Sequence, residues 1–276
     1  MPLIKTTPNP SGRMGALWTL GTIQNAAILE FGSMGHILDC IAKTFSNPKW
    51  FLSEEQVEGD YNLIGSNCDA TRFLSDAREI RRIMEGAFHK KAICTLTSQT
   101  SVEGLQKMHK AKFNLVLRKH AEKAAKSMKQ KLGINYHVGA PYGYEGTMCW
   151  IRQLEEFLKE QADPSFLAKE QEETRYAVEA TKMWVAYHKD QAKIKIKGEP
   201  YVEESLKAFA SKELHMKLED GGIYMMPASE YSKNLENEPF YSLTRTTKDE
   251  IINPYESPYM GFRGAMKLCA LWSNNG

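Results

Sequence analysis

The chain has 276 residues, of which 42% are apolar and 25% charged, with a mean hydropathy of −0.47; this composition belongs to a globular protein and excludes a disordered or membrane-embedded one. Its 36 basic and 34 acidic side chains leave a formal charge of +2, too weak a field to gather nucleic acid or an anionic membrane surface. No apolar run reaches the roughly 18 residues needed to cross a bilayer, and at this length one large domain or two to three lobes are both allowed.

In chain order, short apolar runs ended by glycine alternate with amphipathic stretches, the pattern of β-α-β units and a mostly parallel sheet. The first run, Ala26 to Phe31, ends in Gly32-Ser33-Met34-Gly35-His36, where glycines permit a tight turn at a strand end. Ile37 to Phe45 can form a short helix, which would set Cys40 one turn from His36. Tyr61 to Ser66 repeats the strand-then-glycine theme. Ala70 to Phe88 carries Phe73, Leu74, Ala77, Ile80, Ile83 and Met84 at helical spacing and predicts an amphipathic helix. Lys91 to Thr97 predicts a strand, with Ser98-Gln99-Thr100-Ser101 as the loop at its carboxyl end, where open α/β sheets bind ligands.

A second unit runs from the strand Phe113 to Leu117 through a lysine-rich helix, Lys119 to Leu132, to a strand over Ile134 to Val138, with Gly133 as the helix cap. The lysine-rich face reads as solvated, or as a dock for an acidic electron-donor protein. The loop Gly139 to Thr147 contains Pro141, Gly143, Gly146 and Thr147 and leads into a helix whose free N–H groups could cradle an anionic cofactor group. Asp163 to Lys189 predicts a long helix in which Tyr176, Ala177, Ala180, Met183, Trp184 and Tyr187 form a stripe expected to pack inward. Lys193 to Ile196 predicts an edge strand, Val202 to about Ser211 a helix, and Met260 to Trp272 a terminal helix that returns to the body.

The five cysteines, Cys40, Cys68, Cys94, Cys149 and Cys269, are scattered without a C-x-x-C pair. Neither a disulfide framework nor a zinc knuckle is written locally, and a reducing, cytoplasmic setting is the expectation. Each cysteine reads first as a buried free thiol.

Four segments resemble, in order, the component 1 family of nitrogenases and nitrogenase-like reductases. They are Gly15-Ala16 through Phe31-Gly32-Ser33-Met34-Gly35-His36; Ala92 to Gly104; Asn114-Leu115-Val116 with Leu132-Gly133-Ile134-Asn135-Tyr136 and Pro141 to Thr147; and Pro258 to Ala265. The resemblance implies an α/β fold of two to three Rossmann-like lobes with mostly parallel sheets flanked by helices. Lobe boundaries are expected at 1–112, 113–190 and 191–250, the third shortened, with 251–276 as the C-terminal return. It also implies a homodimer or a paralogous subunit, an iron–sulfur cluster as cofactor, and electrons from an ATP-dependent iron protein.

In that resemblance the cluster positions fall at Ser11, at His36 and near Gln99 or Thr100, so a standard set of four thiolates is absent. The family's cofactor cysteine would lie near Leu117 or Arg118. His36, with Cys40 and Ser11, remains a candidate metal ligand beside the alternative of a structural histidine. Gly32, Gly35, Gln99, Thr100, Pro141, Gly143, Gly146 and Thr147 are candidate cofactor contacts. Two functions stay open: a nitrogenase-like oxidoreductase component carrying a metallocluster, or a non-catalytic scaffold, assembly or ligand-binding protein on the same fold.

Overall fold

The computed structural model describes residues 59–66, 70–97, 100–230, 238–244 and 256–273. Two sheets, parallel throughout, organise it. The first contains β1 (Tyr61–Ser66), β2 (Ala92–Thr97), β3 (Phe113–Val116) and β4 (Asn135–Val138) in the order β2-β1-β3-β4. The connecting helices are α1 (Phe73–Phe88), α2 (Val102–Lys107) and α3 (Glu122–Leu132). The second sheet has the order β5-β6-β7, built from Ile194–Ile196, Ile223–Met226 and Phe240–Ser242.

Period-two alternation divides the first sheet between two cores. Tyr61, Leu63, Phe113 and Leu115 face α1 and the helix α4 (Tyr144–Leu158), whereas Ile64, Leu96 and Val116 face α2 and α3. Register between β1 and β3 is pinned by a polar pair inside the layer: Asn62 lies opposite Asn114 and donates from Nδ2 to Asn114 Oδ1 and to the Met108 carbonyl, both at 2.9 Å. Because β1 and β3 are direct neighbours, a division after residue 112 falls between two paired strands of one sheet.

The first core continues into the second sheet, where Ile194, Ile196, Ile223 and Met225 join it. α4, α6 (Pro200–Ala208) and α7 (Gly261–Ser273) also contribute buried residues to this core. α7 is the terminal helix expected from the sequence; Phe262, Ala265, Leu268 and Trp272 are fully buried, and Trp272 meets Phe209 at 5.3 Å between ring centroids. Gly133 closes α3 in the left-handed conformation, φ 72°, and β5 is an edge strand.

The long helix α5 (Pro164–Tyr187) starts where Asp163 precedes Pro164: Asp163 Oδ1 accepts from the N–H groups of Ser165 and Phe166 at 2.8 and 3.0 Å, a side-chain cap followed by proline at the first turn. Its apolar stripe packs inward only in part, through Ala177 and Trp184, which are half-buried against the first core. The buried face is Glu170, Thr174, Val178, Thr181 and Val185, while Tyr176, Met183 and Tyr187 are 83, 61 and 81% exposed. Periodicity identifies residues that share a face; the neighbours decide which face is turned in. Here Glu170 is drawn inward by Arg82 of α1.

Candidate functional site

In a sheet of order β2-β1-β3-β4, the connections leave β1 and β3 in opposite directions, and the crevice outside their carboxyl ends is where such folds bind ligands. β1 ends at Gly65-Ser66. Gly65 has φ +99°, and a Cβ placed there would lie 3.1 Å from the Arg118 backbone nitrogen, so glycine lets the two strand ends meet. The Leu117 N–H donates to the Ile64 carbonyl at 2.9 Å, which brings Arg118 to the crevice with only 8% of its surface exposed.

Three separate parts of the chain converge on Arg118. From α1 comes Asp76, whose Oδ1 accepts from the N–H groups of Tyr259 and Met260 at 2.7 and 2.9 Å. Burial pushes the Asp76 carboxyl up to about 6, against the lowering by those two N–H groups and by the charges of Arg72 and Arg118. From the second sheet comes Glu199, the side chain that caps α6; it also accepts from the Lys119 N–H, and its carboxyl is raised by burial and lowered by Arg118. From the loop after β4 comes Tyr142, whose phenol is raised well above its ordinary value by burial and by Asp76. Arg72, beside Asp76, stacks its guanidinium 5.0 Å from the centroid of the Tyr259 ring and pairs with Glu256.

This constellation provides guanidinium and phenolic donors with two carboxyls whose proton affinity is raised. Such groups recognise carboxylate or phosphate oxygens, guanidinium in particular through its planar fork.

A metallocluster fits the described residues poorly. Cys94 is buried on the α2 side of the sheet and Cys269 in the opposite core; burial raises their thiols to about 12 and about 11, which disfavours the thiolate that iron requires. Cys149 is exposed. Among the described residues no three His, Cys, Asp or Glu side chains are grouped to hold a metal ion.

Of the residues singled out in the sequence, Ser11, Gly32, Gly35, His36, Cys40 and Gln99 lie outside the described residues. Thr100 follows β2, and its hydroxyl donates to the Thr95 carbonyl at 2.6 Å. Pro141, Gly143, Gly146 and Thr147 follow β4. Both groups lie on the carboxyl side of the sheet but at opposite edges, roughly 14 Å apart across three strand spacings. The Pro141 carbonyl accepts from Gly261 N–H at 2.8 Å, and the buried Thr147 hydroxyl donates to the Gly143 carbonyl at 2.6 Å. Gly146 is exposed on the first turn of α4.

The anion position expected at the start of α4 is filled from within the protein. Glu213, on a π-helical turn that follows α6, accepts from the N–H groups of Tyr144 and Glu145 at 3.2 and 3.1 Å. Burial raises its carboxyl to about 7, with those N–H bonds opposing. Sequence reasoning missed Glu213, Asp76 and Glu199, because each is a single acid on an ordinary amphipathic helix or at a helix start. The position near Arg118 came from the resemblance alone.

A family model described as nitrogenase component 1 type oxidoreductase matches residues 36–239. Among solved structures, one titled "Nitrogenase Cp1 at pH 6.5" is similar with a TM-score of 0.60 and 18% identity, covering 86% of this chain and 64% of that one. Another, "Nitrogenase Cp1 at pH 5", has a TM-score of 0.62 and 16% identity, covering 87% and 61%. At these identities the likeness is one of fold, and the chain spans less than two thirds of either structure's length. No curated protein matches it.

Proposed function

Because this chain belongs to the nitrogenase component 1 type oxidoreductase family, we propose that it is a ligand-binding subunit of a nitrogenase-like system, holding a carboxylate- or phosphate-bearing cofactor or substrate in the crevice between β1 and β3. The observation that carries this reading is the burial of Arg118 at the end of β3. A permanent cation is costly to bury and persists where it is paired or has a partner to meet. Its neighbours Asp76 and Glu199 both have raised proton affinity. When either takes a proton, part of the guanidinium's charge becomes available to an incoming oxyanion. Tyr142, held as the neutral phenol, supplies a second donor.

The metallocluster reading remains as the second, because the family match begins at His36 and so includes His36 and Cys40. In that reading a cluster would be held by residues outside the described set, with a second subunit, identical or paralogous, and an ATP-dependent iron protein as electron source. The cluster would supply the electron transfer; Arg118 and Tyr142 would orient the bound substrate.

One experiment separates them. Anaerobically purified protein is assayed for iron and sulfide, then titrated with inorganic phosphate, citrate and ATP while its thermal unfolding is followed, in parallel with Arg118→Met. The ligand reading expects at least one probe to raise the wild-type midpoint and leave Arg118→Met unmoved. Equal shifts in both proteins, or none in either, would overturn it. Stoichiometric iron and sulfide would establish the second reading.

A further inference from the structure

Tyr142, the phenolic donor of the crevice, sits between two backbone groups that other elements hold. On its amino side the Pro141 carbonyl accepts from the Gly261 N–H at 2.8 Å. On its carboxyl side comes Gly143, whose φ of 75° and ψ of 174° lie where glycine alone is at ease. A residue with that freedom fixes the direction of its neighbour only when something outside the turn holds it.

The π-helical turn Phe209–Glu213 supplies the hold. Its first residue lays a ring against Gly143, where a Cβ would lie 2.3 Å from the Phe209 ring and 2.8 Å from Glu213 Oε2. Its last residue divides its carboxylate between the next two N–H groups, Oε1 accepting from Tyr144 at 3.2 Å and Oε2 from Glu145 at 3.1 Å. The other end of the same helix meets the other crevice donor: Glu199 caps α6 and accepts from the Lys119 N–H, next to Arg118. α6 with its π turn thus reaches both groups offered to an oxyanion, Arg118 through Glu199 and Tyr142 through Glu213. π turns are rare and recur at functional sites.

Resting on the crevice reading, we propose that Glu213 is a positioning residue: by gripping the Tyr144 and Glu145 N–H groups it sets the Tyr142 phenol beside Arg118, so that both donors meet one oxyanion. It touches no ligand itself. Beyond burial, the charges that act on the Tyr142 phenol are those of Asp76, Arg118, Glu199 and Tyr259; Glu213 reaches it through the backbone.

The grip depends on charge. Ionised, Glu213 offers one acceptor oxygen to each N–H; protonated, one oxygen becomes a donor and one N–H loses its partner. Burial raises this carboxyl to about 7, with Glu145 adding to the rise and the two N–H groups and Lys182 of α5 opposing it. The Tyr144 phenol and the Cys269 thiol of α7 also face it, and burial raises both. The turn is therefore gripped above about pH 7 and loosened below it. The proton spares the fold a buried charge, so overall stability rises as the grip weakens.

The test places meta-fluorotyrosine at Tyr142 in the full chain and follows its fluorine resonance with pH, with no ligand added. A phase centred near pH 7 is expected in the wild type and absent from Glu213→Gln, which cannot titrate; phases from Asp76 and Glu199 persist in both. Affinity for inorganic phosphate is then measured by calorimetry above pH 7, where Glu213 is ionised. Glu213→Gln and Tyr142→Phe should each weaken phosphate about tenfold. Together they should weaken it no more than Tyr142→Phe alone, because a loosened turn costs nothing once the donor is gone. A resonance indifferent to Glu213, or losses that add, would overturn the inference. A resonance that follows Glu213 in a protein that binds no phosphate, citrate or ATP supports the positioning role and overturns the ligand reading instead.

Discussion

The Asp76 carboxylate in α1 accepts hydrogen bonds from the backbone N–H of Tyr259, 183 positions later in the chain, and from the adjacent Met260. These N–H groups precede α7 by one and two residues, so a side chain from α1 satisfies donors at the entry to a helix start. Glu79, one turn further along α1, accepts from the Arg263 N–H at 3.2 Å. Glu213 does the same for α4. The starts of α4 and α7 are therefore completed from a distance, unlike that of α5, which Asp163 caps locally.

Removing the acceptor tests that role. Asp76→Ala leaves two N–H groups without their partner in a buried setting and is expected to cost about 2 kcal/mol or more, whereas Asp76→Asn retains an acceptor and should cost less than half as much. Urea unfolding of the three proteins measures it; equal losses for alanine and asparagine would show that the hydrogen bonds are not the cause.

Glu213 should make stability depend on pH. Its carboxyl is raised from 4.5 to about 7, so the folded state holds the proton more tightly than the unfolded chain. Its contribution is fully present below about pH 4.5 and is lost as pH rises through about 7. Glu213→Gln keeps an acceptor but cannot titrate. The stability of wild type minus variant should fall between pH 5 and pH 8 by on the order of 3 kcal/mol, and a pH-independent difference would rule out titration of Glu213 in that window.

Arg82 bridges two buried acids. It donates to Glu170 at 2.5 and 2.7 Å and to Glu79 twice at 2.8 Å, and both acids are 3% exposed. Arg82→Met strands their charges and is expected to cost about 3–5 kcal/mol. Adding Glu170→Gln should recover part of that loss, as a double-mutant cycle would read out; a further loss would contradict the assigned pairing.

Two glycines three residues apart should respond in opposite ways. Gly143 has φ 75° and ψ 174°, a region essentially reserved for glycine, and a Cβ there would lie 2.3 Å from the Phe209 ring. Gly143→Ala should destabilise by more than about 2 kcal/mol. Gly146 is helical with nothing within 4 Å of an added Cβ, so Gly146→Ala should be neutral or stabilising by up to about 1 kcal/mol. Thermal melts decide both.

The local grammar of the fold was legible. Strand runs ended by Gly65 and Gly139, the cap at Gly133, the Asp163-Pro164 helix start and the amphipathic α1 all follow from short-range rules, and the order of segments suggested the family. What was hidden is non-local. The sequence shows Tyr176 and Met183 on one face of α5 but not that Arg82 pulls the other face inward. Nor does it show that Glu213 spends its charge on α4, because the partners of a single acid are set by tertiary contact. At the crevice, the meeting of Asp76, Arg118 and Tyr142 depends on three chain segments arriving together.

Every strand pair in both sheets is parallel, so no described strand can zip onto its sequence neighbour through a tight hairpin turn. Each pairing must wait for an intervening crossover, and such topologies fold slowly because loop closure precedes its reward. The nascent polypeptide thus passes through a long interval with open strand edges. That interval closes as Phe262, Ala265, Leu268 and Trp272 of α7 pack into the core that both sheets share, contacts that span most of the described chain and so come at a high cost in loop closure.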